Sequence, residues 1–256
     1  MKYMGGKMRQ GKALSKLLKG VSGFDIYYEP FCGAMGAAHQ IIPSLHTGVQ
    51  KCVLTDVSIP LMNMWLALMN GWEPPSIVSE DLYQSVRYKD DPEDPMTAYC
   101  GFGMSFGGKW WGGYGRDKRG IRNYALELQR SVLFKASVLL KASVLLKASV
   151  LLKASDYKDI VDDGQCFYLD PPYKDRTKPH HYAGQFNHDE FWEYAGYLVS
   201  RKNLVVVTEF QAPEDWVRIF NWGDTVVRHQ NGKGSDDTCE SVFVHASQVC
   251  RFGDKH

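Results

Sequence analysis

Short apolar runs alternate with longer helical patterns near the start of the chain. The run at 26–28 is rich in β-forming residues, and the helical pattern at 37–42 behind it is stopped by Pro43. A second pair follows, with a strand predicted at 52–55 and a helix at 60–70, whose proline lies near its start and whose glycine lies just past its end. This β-α-β-α order predicts a parallel sheet.

The same alternation returns in the last third of the chain. A strand is predicted at 166–169 and a helix at 189–200, followed by a continuous apolar strand at 204–207, of the kind that is buried on both faces. The other elements predicted there are a short helix over 213–220 and a hairpin of 225–227 with 242–244. We therefore expect an α/β fold, in which a mostly parallel sheet has helices on both faces.

The middle of the chain does not follow this pattern. Residues 73–98 are acidic and rich in proline, and residues 101–115 are rich in glycine and aromatic side chains, so irregular loops are predicted for both. The simplest division is a catalytic domain formed by 1–72 and 160–256, interrupted by an inserted region at 73–159.

A hexapeptide repeat lies inside this insert. Lys-Ala-Ser-Val-Leu-Leu occurs three times and begins a fourth copy, over residues 135–155. On a helix the lysines would circle the axis, and on a strand Lys, Ser and one Leu would share a face, so neither structure is favoured. Three units of this period do not indicate a solenoid. We expect an expansion in a tolerant surface segment, because insertions in surface loops cost little.

Composition limits the class of protein, and the distribution of charge suggests a partner. The 256 residues are 44% hydrophobic, which suits one large domain or one domain with an insert. The net charge is only +1, but residues 1–20 carry six basic side chains and no acid, and residues 109–153 carry ten basic side chains and two acids. Such clusters are typical of nucleic-acid binding or of a solvated face.

Other classes are disfavoured. No apolar run approaches the length of a membrane span, and the basic N-terminal segment lacks the apolar core of a secretory signal. Six cysteines without a C-x-x-C pattern fit neither a disulfide scaffold nor a zinc site, and His180, His181 and His188 do not have ligand spacing, so no metal is expected. A cytoplasmic protein, in a bacterial cell or a phage-infected host, fits best.

The strongest chemical signal is Asp170-Pro171-Pro172-Tyr173, directly after the strand at 166–169. Ligands of open α/β sheets bind beyond the carboxyl ends of the strands. The two prolines lack N–H groups, so this turn offers carbonyl acceptors to a ligand that donates N–H bonds, such as an exocyclic amine. The tyrosine ring suits a stacked planar base. The alternative is an ordinary strand-to-loop turn.

A second signal is the loop from Pro30 to Gly36 after the first strand. Gly33 allows the backbone to approach a ligand closely. Asp56 follows 23 residues later at the end of the next strand. At about this spacing, an acidic side chain binds the ribose hydroxyls in nucleotide-binding α/β folds. Met35 stands where the dinucleotide-binding motif G-x-G-x-x-G has its second glycine. This departure favours a nucleoside ligand that lacks a pyrophosphate. A plain tight turn is the alternative.

Four segments occur in a fixed order along the chain: Tyr3-Met4-Gly5-Gly6-Lys7, Glu29-Pro30-Phe31-Cys32-Gly33, Asp56 and Asp170-Pro171-Pro172-Tyr173. In this order they resemble the Dam-like, phage-type class of DNA adenine-N6 methyltransferases. The insert lies where that family has its target-recognition region, and the resemblance covers nearly the whole chain. Met35, where many relatives have glycine, and the hexapeptide repeat depart from the family pattern.

The resemblance implies a Rossmann-like fold, S-adenosylmethionine as cofactor, and methylation of a flipped adenine at N6 in a specific double-stranded DNA sequence. Asp170 and the Pro171 carbonyl would accept hydrogen bonds from the target amino group, and Tyr173 would stack on the base. The catalytic residues it implies are Asp170, Pro171, Pro172 and Tyr173. The cofactor-binding residues it implies are Tyr3, Gly5, Gly6, Lys7, Pro30, Phe31, Gly33, Asp56 and Asp170.

The insert would then read the DNA, through basic side chains that contact phosphates or guanine edges and aromatic rings that stack where the base leaves. The alternative is that these rings form the insert's own small core. The candidate DNA-binding residues are Lys109, Trp110, Trp111, Tyr114, Arg116, Lys118, Arg119 and Arg122.

Several alternative functions are compatible with the same residues. Cytosine-N4 methylation uses the same kind of amine site, RNA is a possible substrate, and a noncatalytic DNA-binding relative could keep the fold. The expected partner is double-stranded DNA, with no membrane and no metal, and the protein is expected to be a monomer or a weak dimer. Restriction-modification, replication timing and phage evasion of the host are all compatible with such an activity.

Overall fold

A seven-stranded sheet organises the chain in the computed structural model, which describes residues 6–117, 122–173, 186–222 and 240–252. The order is β3-β2-β1-β4-β5-β7-β6, and only β7 runs antiparallel to its neighbours. The strands are β1 Ile26–Glu29, β2 Lys51–Asp56, β3 Ser149–Ala154, β4 Cys166–Leu169, β5 Leu204–Glu209, β6 Trp216–Asn221 and β7 Ser241–His245. Reversal of the chain order between β1 and β4 makes this a doubly wound, Rossmann-like sheet.

Helices cover both faces of the sheet. Because side chains alternate along a strand, Cys166 and Tyr168 of β4 join one apolar core with residues of α1, α2, α3 and α6, whereas Phe167 and Leu169 join a second core with α7. The predicted fold class is therefore confirmed. The helices are α1 Gly11–Leu18, α2 Ala38–Ile41, α3 Ile59–Met69, α4 Glu80–Lys89, α5 Pro95–Ala98, α6 Tyr124–Leu146 and α7 His188–Ser200.

Local signals explain where several elements begin. The side chain of Asn187 accepts hydrogen bonds from the backbone N–H groups of Asp189 and Glu190, so it caps α7. α3 has proline in its first turn, and Gly71, just past its end, has a φ of 89°. The predicted strands at 26–28, 52–55, 166–169 and 204–207 all form.

Two predictions of secondary structure are wrong. Residues 73–98, predicted as irregular loops, contain α4 and α5, whose first turns are capped by the side chains of Ser79 and Asp94. The predicted helix at 213–220 is instead largely strand β6, because pairing with β7 overrides its weak helical pattern. The 242–244 run lies in β7, as predicted, whereas its proposed partner at 225–227 lies outside the described residues.

The glycine- and aromatic-rich stretch is irregular, as predicted. It contains a π-helical turn at Tyr99–Gly103, a single 3₁₀ turn at Phe106–Gly108, and an isolated bridge between Ser105 and Tyr114.

The hexapeptide repeat is not a tolerant surface loop. Its first part completes α6, where Lys135 and Leu139 are buried, and its last part forms β3, which pairs along its whole length with β2. Lys147, in the left-handed conformation, separates the two. The same hexapeptide is thus helical in its first two copies and largely extended in its third, and tertiary contacts decide which structure forms. β3 extends the main sheet although it lies within 73–159; the predicted domain limits themselves stay a prediction.

Candidate active site

The site residues predicted from three distant parts of the chain follow three neighbouring parallel strands. β1 lies between β2 and β4, so the loop after Glu29, the side chain of Asp56 and the turn beginning at Asp170 emerge at the same edge of the sheet. The chain order reverses between β1 and β4, which is where doubly wound sheets bind their ligands.

The Asp56 carboxylate organises the loop after β1. Its two oxygens accept hydrogen bonds from the backbone N–H groups of Gly33, at 3.0 Å, and Ser58, at 2.9 Å. Burial raises the pKa of Asp56 to about 6, against the lowering effect of these two N–H groups. Asp56 is therefore an ionised, half-buried acceptor at neutral pH, and each carboxylate oxygen has capacity for a further donor.

The loop itself is tightly curved and packed. Gly33 and Met35 both have positive φ, at 46° and 55°, so Met35 adopts the conformation that glycine adopts without strain. The Gly33 carbonyl accepts a hydrogen bond of 3.0 Å from the indole N–H of Trp65. A Cβ on Gly36 would lie 2.6 Å from the backbone nitrogen of Lys7, so this glycine allows the N-terminal segment to lie against the loop.

Lys7, Asp170 and Tyr173 form one polar cluster with Glu240. The Lys7 ammonium lies 2.7 Å from Asp170 Oδ1 and 3.1 Å from Glu240 Oε1, and it also contacts the Tyr173 hydroxyl. That hydroxyl donates to Glu240 Oε1 at 2.7 Å and lies 3.2 Å from Asp170 Oδ1. The structure thus brings together a residue predicted to bind cofactor and two predicted to be catalytic.

Burial and charge set the protonation of this cluster. Burial raises the pKa of Asp170 to about 6; Lys7 opposes this rise and Glu240 adds to it. Burial lowers the pKa of Lys7, but Asp170 and Glu240 together outweigh it, so the net change is upward. At neutral pH the cluster therefore holds an ammonium beside an ionised Asp170. Burial also raises the pKa of Glu29 to about 8, so Glu29 is mostly neutral at that pH.

The other predicted cofactor and catalytic residues lie around this edge or outside the described residues. Phe31 is half-buried, with its ring 5.1 Å from that of Tyr157. Gly6 is exposed, Pro30 and Pro171 are buried, and Pro172 is half-buried. Tyr3 and Gly5 lie outside the described residues.

The aromatic members of the predicted DNA-reading set pack within the insert. Trp110 packs on Phe102, with ring centroids 4.6 Å apart, and Trp111 donates its indole N–H to Asp90 at 3.1 Å. The Tyr114 hydroxyl donates to the Val78 carbonyl at 2.6 Å. These rings therefore pack against buried residues, as in the alternative prediction, but the core that they join is continuous with that of α3 and the sheet and is not the insert's own. A role in DNA binding stays a prediction.

The basic members of that set are exposed. Arg116 and Arg122 form surface ion pairs with Glu80 and Glu127, and Lys109 is exposed. Such surface pairs contribute little stability. Lys118 and Arg119 lie outside the described residues.

Two candidate functional residues carry no sequence signal that singles them out. Glu240 joins the Lys7 cluster only because β7 inserts between β5 and β6. Phe106, on the glycine-rich loop, is 72% exposed, which is unusual for so large an apolar ring.

Two features are absent from the described residues. No helix of that part of the chain is long and apolar enough to cross a membrane. Across the same ranges, no group of three or more His, Cys, Asp or Glu side chains is arranged to hold a metal ion.

Comparison with known proteins gives remote structural neighbours alone. No protein-family model and no curated protein sequence matches the chain. The rRNA methyltransferase aviRa from Streptomyces viridochromogenes is 13% identical over 96% of this chain and 87% of its own, with a TM-score of 0.44. A putative RNA methyltransferase from Pyrococcus horikoshii is 9% identical over 92% of this chain and 78% of its own, with a TM-score of 0.37. We therefore base the proposed function on the site's own residues.

Proposed function

We propose that the protein is an S-adenosylmethionine-dependent methyltransferase. The activity that we propose is methylation of the N6 amino group of adenine in a specific double-stranded DNA sequence. One observation carries the proposal. The acceptor-rich turn from Asp170 to Tyr173 and the loop after β1, which Asp56 holds at Gly33, lie at the same edge of the sheet, where the chain order of a doubly wound sheet reverses. A nucleoside-type ligand and an amine acceptor thus belong to one site.

The residues after β1 and β2 fit the nucleoside end of this cofactor. The ionised Asp56 carboxylate, held by Gly33 and Ser58, has lone pairs left for two ribose hydroxyls. Val57 and Ile59, on either side of Ser58, are exposed apolar side chains against which a purine ring can pack. When bound, S-adenosylmethionine would supply an electrophilic methyl group on a positively charged sulfur.

The turn after β4 fits the target amine. Asp170 presents a carboxylate and Pro171 a carbonyl, and these two acceptors would hold the two hydrogens of an exocyclic amino group and orient its lone pair. Flipping a base out of a duplex costs a few kcal/mol, and stacking on the Tyr173 ring returns about 1–3 kcal/mol of that cost. Asp170 then stabilises the positive charge that develops on the amine nitrogen, so positioning and charge placement contribute most of the catalysis.

The distribution of charge favours a nucleic acid as the substrate, and within that class the family resemblance favours DNA. Residues 109–153 carry ten basic side chains against two acids, and Lys109, Arg116 and Arg122 are exposed at the surface of the insert. Trp110 and Trp111 pack against each other in the same loop, whereas the ring of Phe106 is exposed. Phosphate contacts from such side chains would position the duplex, and the ring would stack on a base.

The test is transfer of labelled methyl groups to unmethylated genomic DNA and, in parallel, to total RNA, followed by chromatography of the nucleosides. We expect N6-methyladenine in DNA, confined to one sequence context. N4-methylcytosine would keep the chemistry but change the base, and methylation of RNA alone would change the substrate. Cofactor binding without transfer to either polymer would contradict the proposed activity and favour a noncatalytic DNA-binding protein.

A further inference from the structure

The Glu240 carboxylate lies among three segments that meet at the proposed methyl-transfer site. Its Oε1 atom accepts from the Tyr173 hydroxyl at 2.7 Å and lies 3.1 Å from the Lys7 ammonium. Its Oε2 atom accepts a hydrogen bond of 3.0 Å from the Gln10 side chain. Glu240 therefore joins the N-terminal segment, the turn after β4 and the start of β7.

We propose that Glu240 is a positioning residue for methyl transfer: it holds the Lys7 ammonium and the Tyr173 hydroxyl, and so keeps the Asp170 carboxylate available to the target amine. This inference rests on the proposed function, since it concerns the same site. Glu240 does not contact the reacting atoms in this account. It acts through Lys7 and Tyr173.

The need for such a residue follows from competition at Asp170. The Lys7 ammonium lies 2.7 Å from Asp170 Oδ1, and the same carboxylate would have to accept a hydrogen of the target amine. An ammonium is a compact charge with three donors, which bind strongly to carboxylates. With Asp170 as its sole counterion, Lys7 would stay bound there and compete with the amine. Glu240 provides a second carboxylate that balances Lys7.

The charge of the cluster supports the same conclusion. Counted at their formal charges, and among the described residues, Lys7 contributes one positive charge and the carboxylates of Asp170 and Glu240 contribute two negative charges. The cluster therefore carries a net negative charge beside the proposed position of the target amine, whose nitrogen would gain positive charge during methyl transfer. A fixed negative charge stabilises that positive charge in a water-poor site. Replacement of Glu240 by a neutral residue would leave the cluster neutral.

Glu240 would also act on methyl transfer by holding the Tyr173 ring in place. The ring of Tyr173 packs edge-on against Phe210, with centroids 4.8 Å apart, and its hydroxyl is held by Glu240. The ring is thus fixed both by packing and by a hydrogen bond to a charged acceptor, which is the stronger kind. Loss of the charge would loosen the surface on which the flipped base is proposed to stack.

The experiment compares wild type with Glu240→Gln, which keeps the shape and removes the charge. Glu214→Gln is the matched control, because Glu214 is an exposed acid outside the cluster. We expect the single-turnover rate of methyl transfer in Glu240→Gln to fall about tenfold or more, the scale of losing one preorganised electrostatic contact. Cofactor affinity, measured by calorimetry, should change less than about threefold because Asp56 is intact.

The pH dependence of the rate separates positioning from a merely structural role. The groups that face Asp170 are Lys7, Glu240, Tyr173, Tyr168 and Glu29. Activity needs the ionised carboxylate, so the wild-type rate should fall as the pH decreases through about 6. Because the charge of Glu240 adds to the rise in the pKa of Asp170, Glu240→Gln should move this acid limb to lower pH. Glu240→Asp keeps the charge and should leave the limb near its wild-type position.

The outcomes are distinguishable. An unchanged rate and an unchanged acid limb in Glu240→Gln, with an active wild type, would overturn this inference and leave the proposed function intact. If Glu240→Gln does not fold, as judged by circular dichroism, the inference is tested on Glu240→Asp, and an acid limb shifted to lower pH in that variant would overturn it. A wild type that methylates neither DNA nor RNA would overturn the proposed function, and with it this inference.

Discussion

Lys135, the first lysine of the hexapeptide repeat, is a buried cation beneath the proposed cofactor loop. It is 1% exposed, and its ammonium donates to the carbonyl of Ala34 at 2.5 Å. Burial lowers the pKa of Lys135 from 10.5 to about 8. We predict that replacing it by methionine, which has a similar length and no charge, removes a pH-dependent component of the stability.

The sign and size of this component follow from the two pKa values. Between pH 8 and 10.5 the unfolded chain binds more protons at this position than the folded protein, so wild-type stability rises with pH over that window. Each pKa unit corresponds to about 1.4 kcal/mol. Between pH 7 and pH 10, the free energy of unfolding of wild type should therefore rise by about 2–3 kcal/mol relative to that of Lys135→Met.

The assay is urea unfolding of both proteins, followed by tryptophan fluorescence, at several pH values across this range. Lys141→Met is the matched control, since Lys141 is the same residue of the next repeat unit but is exposed. Its stability difference from wild type should stay constant with pH. A constant difference for Lys135→Met as well would refute the burial of a charged lysine at this position.

Three further predictions test other parts of the structure. Gly36→Ala would push a Cβ against the Lys7 backbone, so methyl transfer should fall at least about tenfold; Gly196→Ala in α7, with open space at Cβ, should keep full activity, and equal activity of the two variants would contradict the packing. Asp56→Asn should weaken cofactor binding in calorimetry by about tenfold, the scale of a charged hydrogen bond, and unchanged affinity would exclude Asp56 from the cofactor site. Asn187→Ala should lower the free energy of unfolding by about 1 kcal/mol through loss of the α7 cap, and urea unfolding that shows no loss would argue against the cap.

The parts of the fold that the sequence predicted are those with strong local patterns. The apolar runs of β1, β2, β4 and β5 alternate with helical patterns, and in these segments local sequence and tertiary contacts favour the same structure. Asp56 and Asp170 were predictable from the same pattern, since each lies at the end of an apolar strand or directly after it. The sheet then places β2 and β4 on either side of β1, and the chain order reverses beside β1, where doubly wound sheets bind their ligands.

The parts that the sequence did not predict depend on distant contacts. The repeat has no preference of its own, so α6 and β3 are decided by the core under Lys135 and by pairing with β2. α4 was hidden because its cap, Ser79, lies in an acidic, proline-rich stretch that resembles a loop. Glu240 has no local signature, because its partners Lys7 and Tyr173 are far away in the chain.

The most direct test of the central proposal is made on Asp170→Ala, with methyl transfer and cofactor binding measured on the same preparation. If Asp170 accepts the target amine, transfer to DNA should be abolished, while S-adenosylmethionine binding, which depends on Asp56 and the loop after β1, should remain largely intact. Retained methyl transfer, or loss of cofactor binding in a folded Asp170→Ala protein, would contradict the role that we propose for this carboxylate.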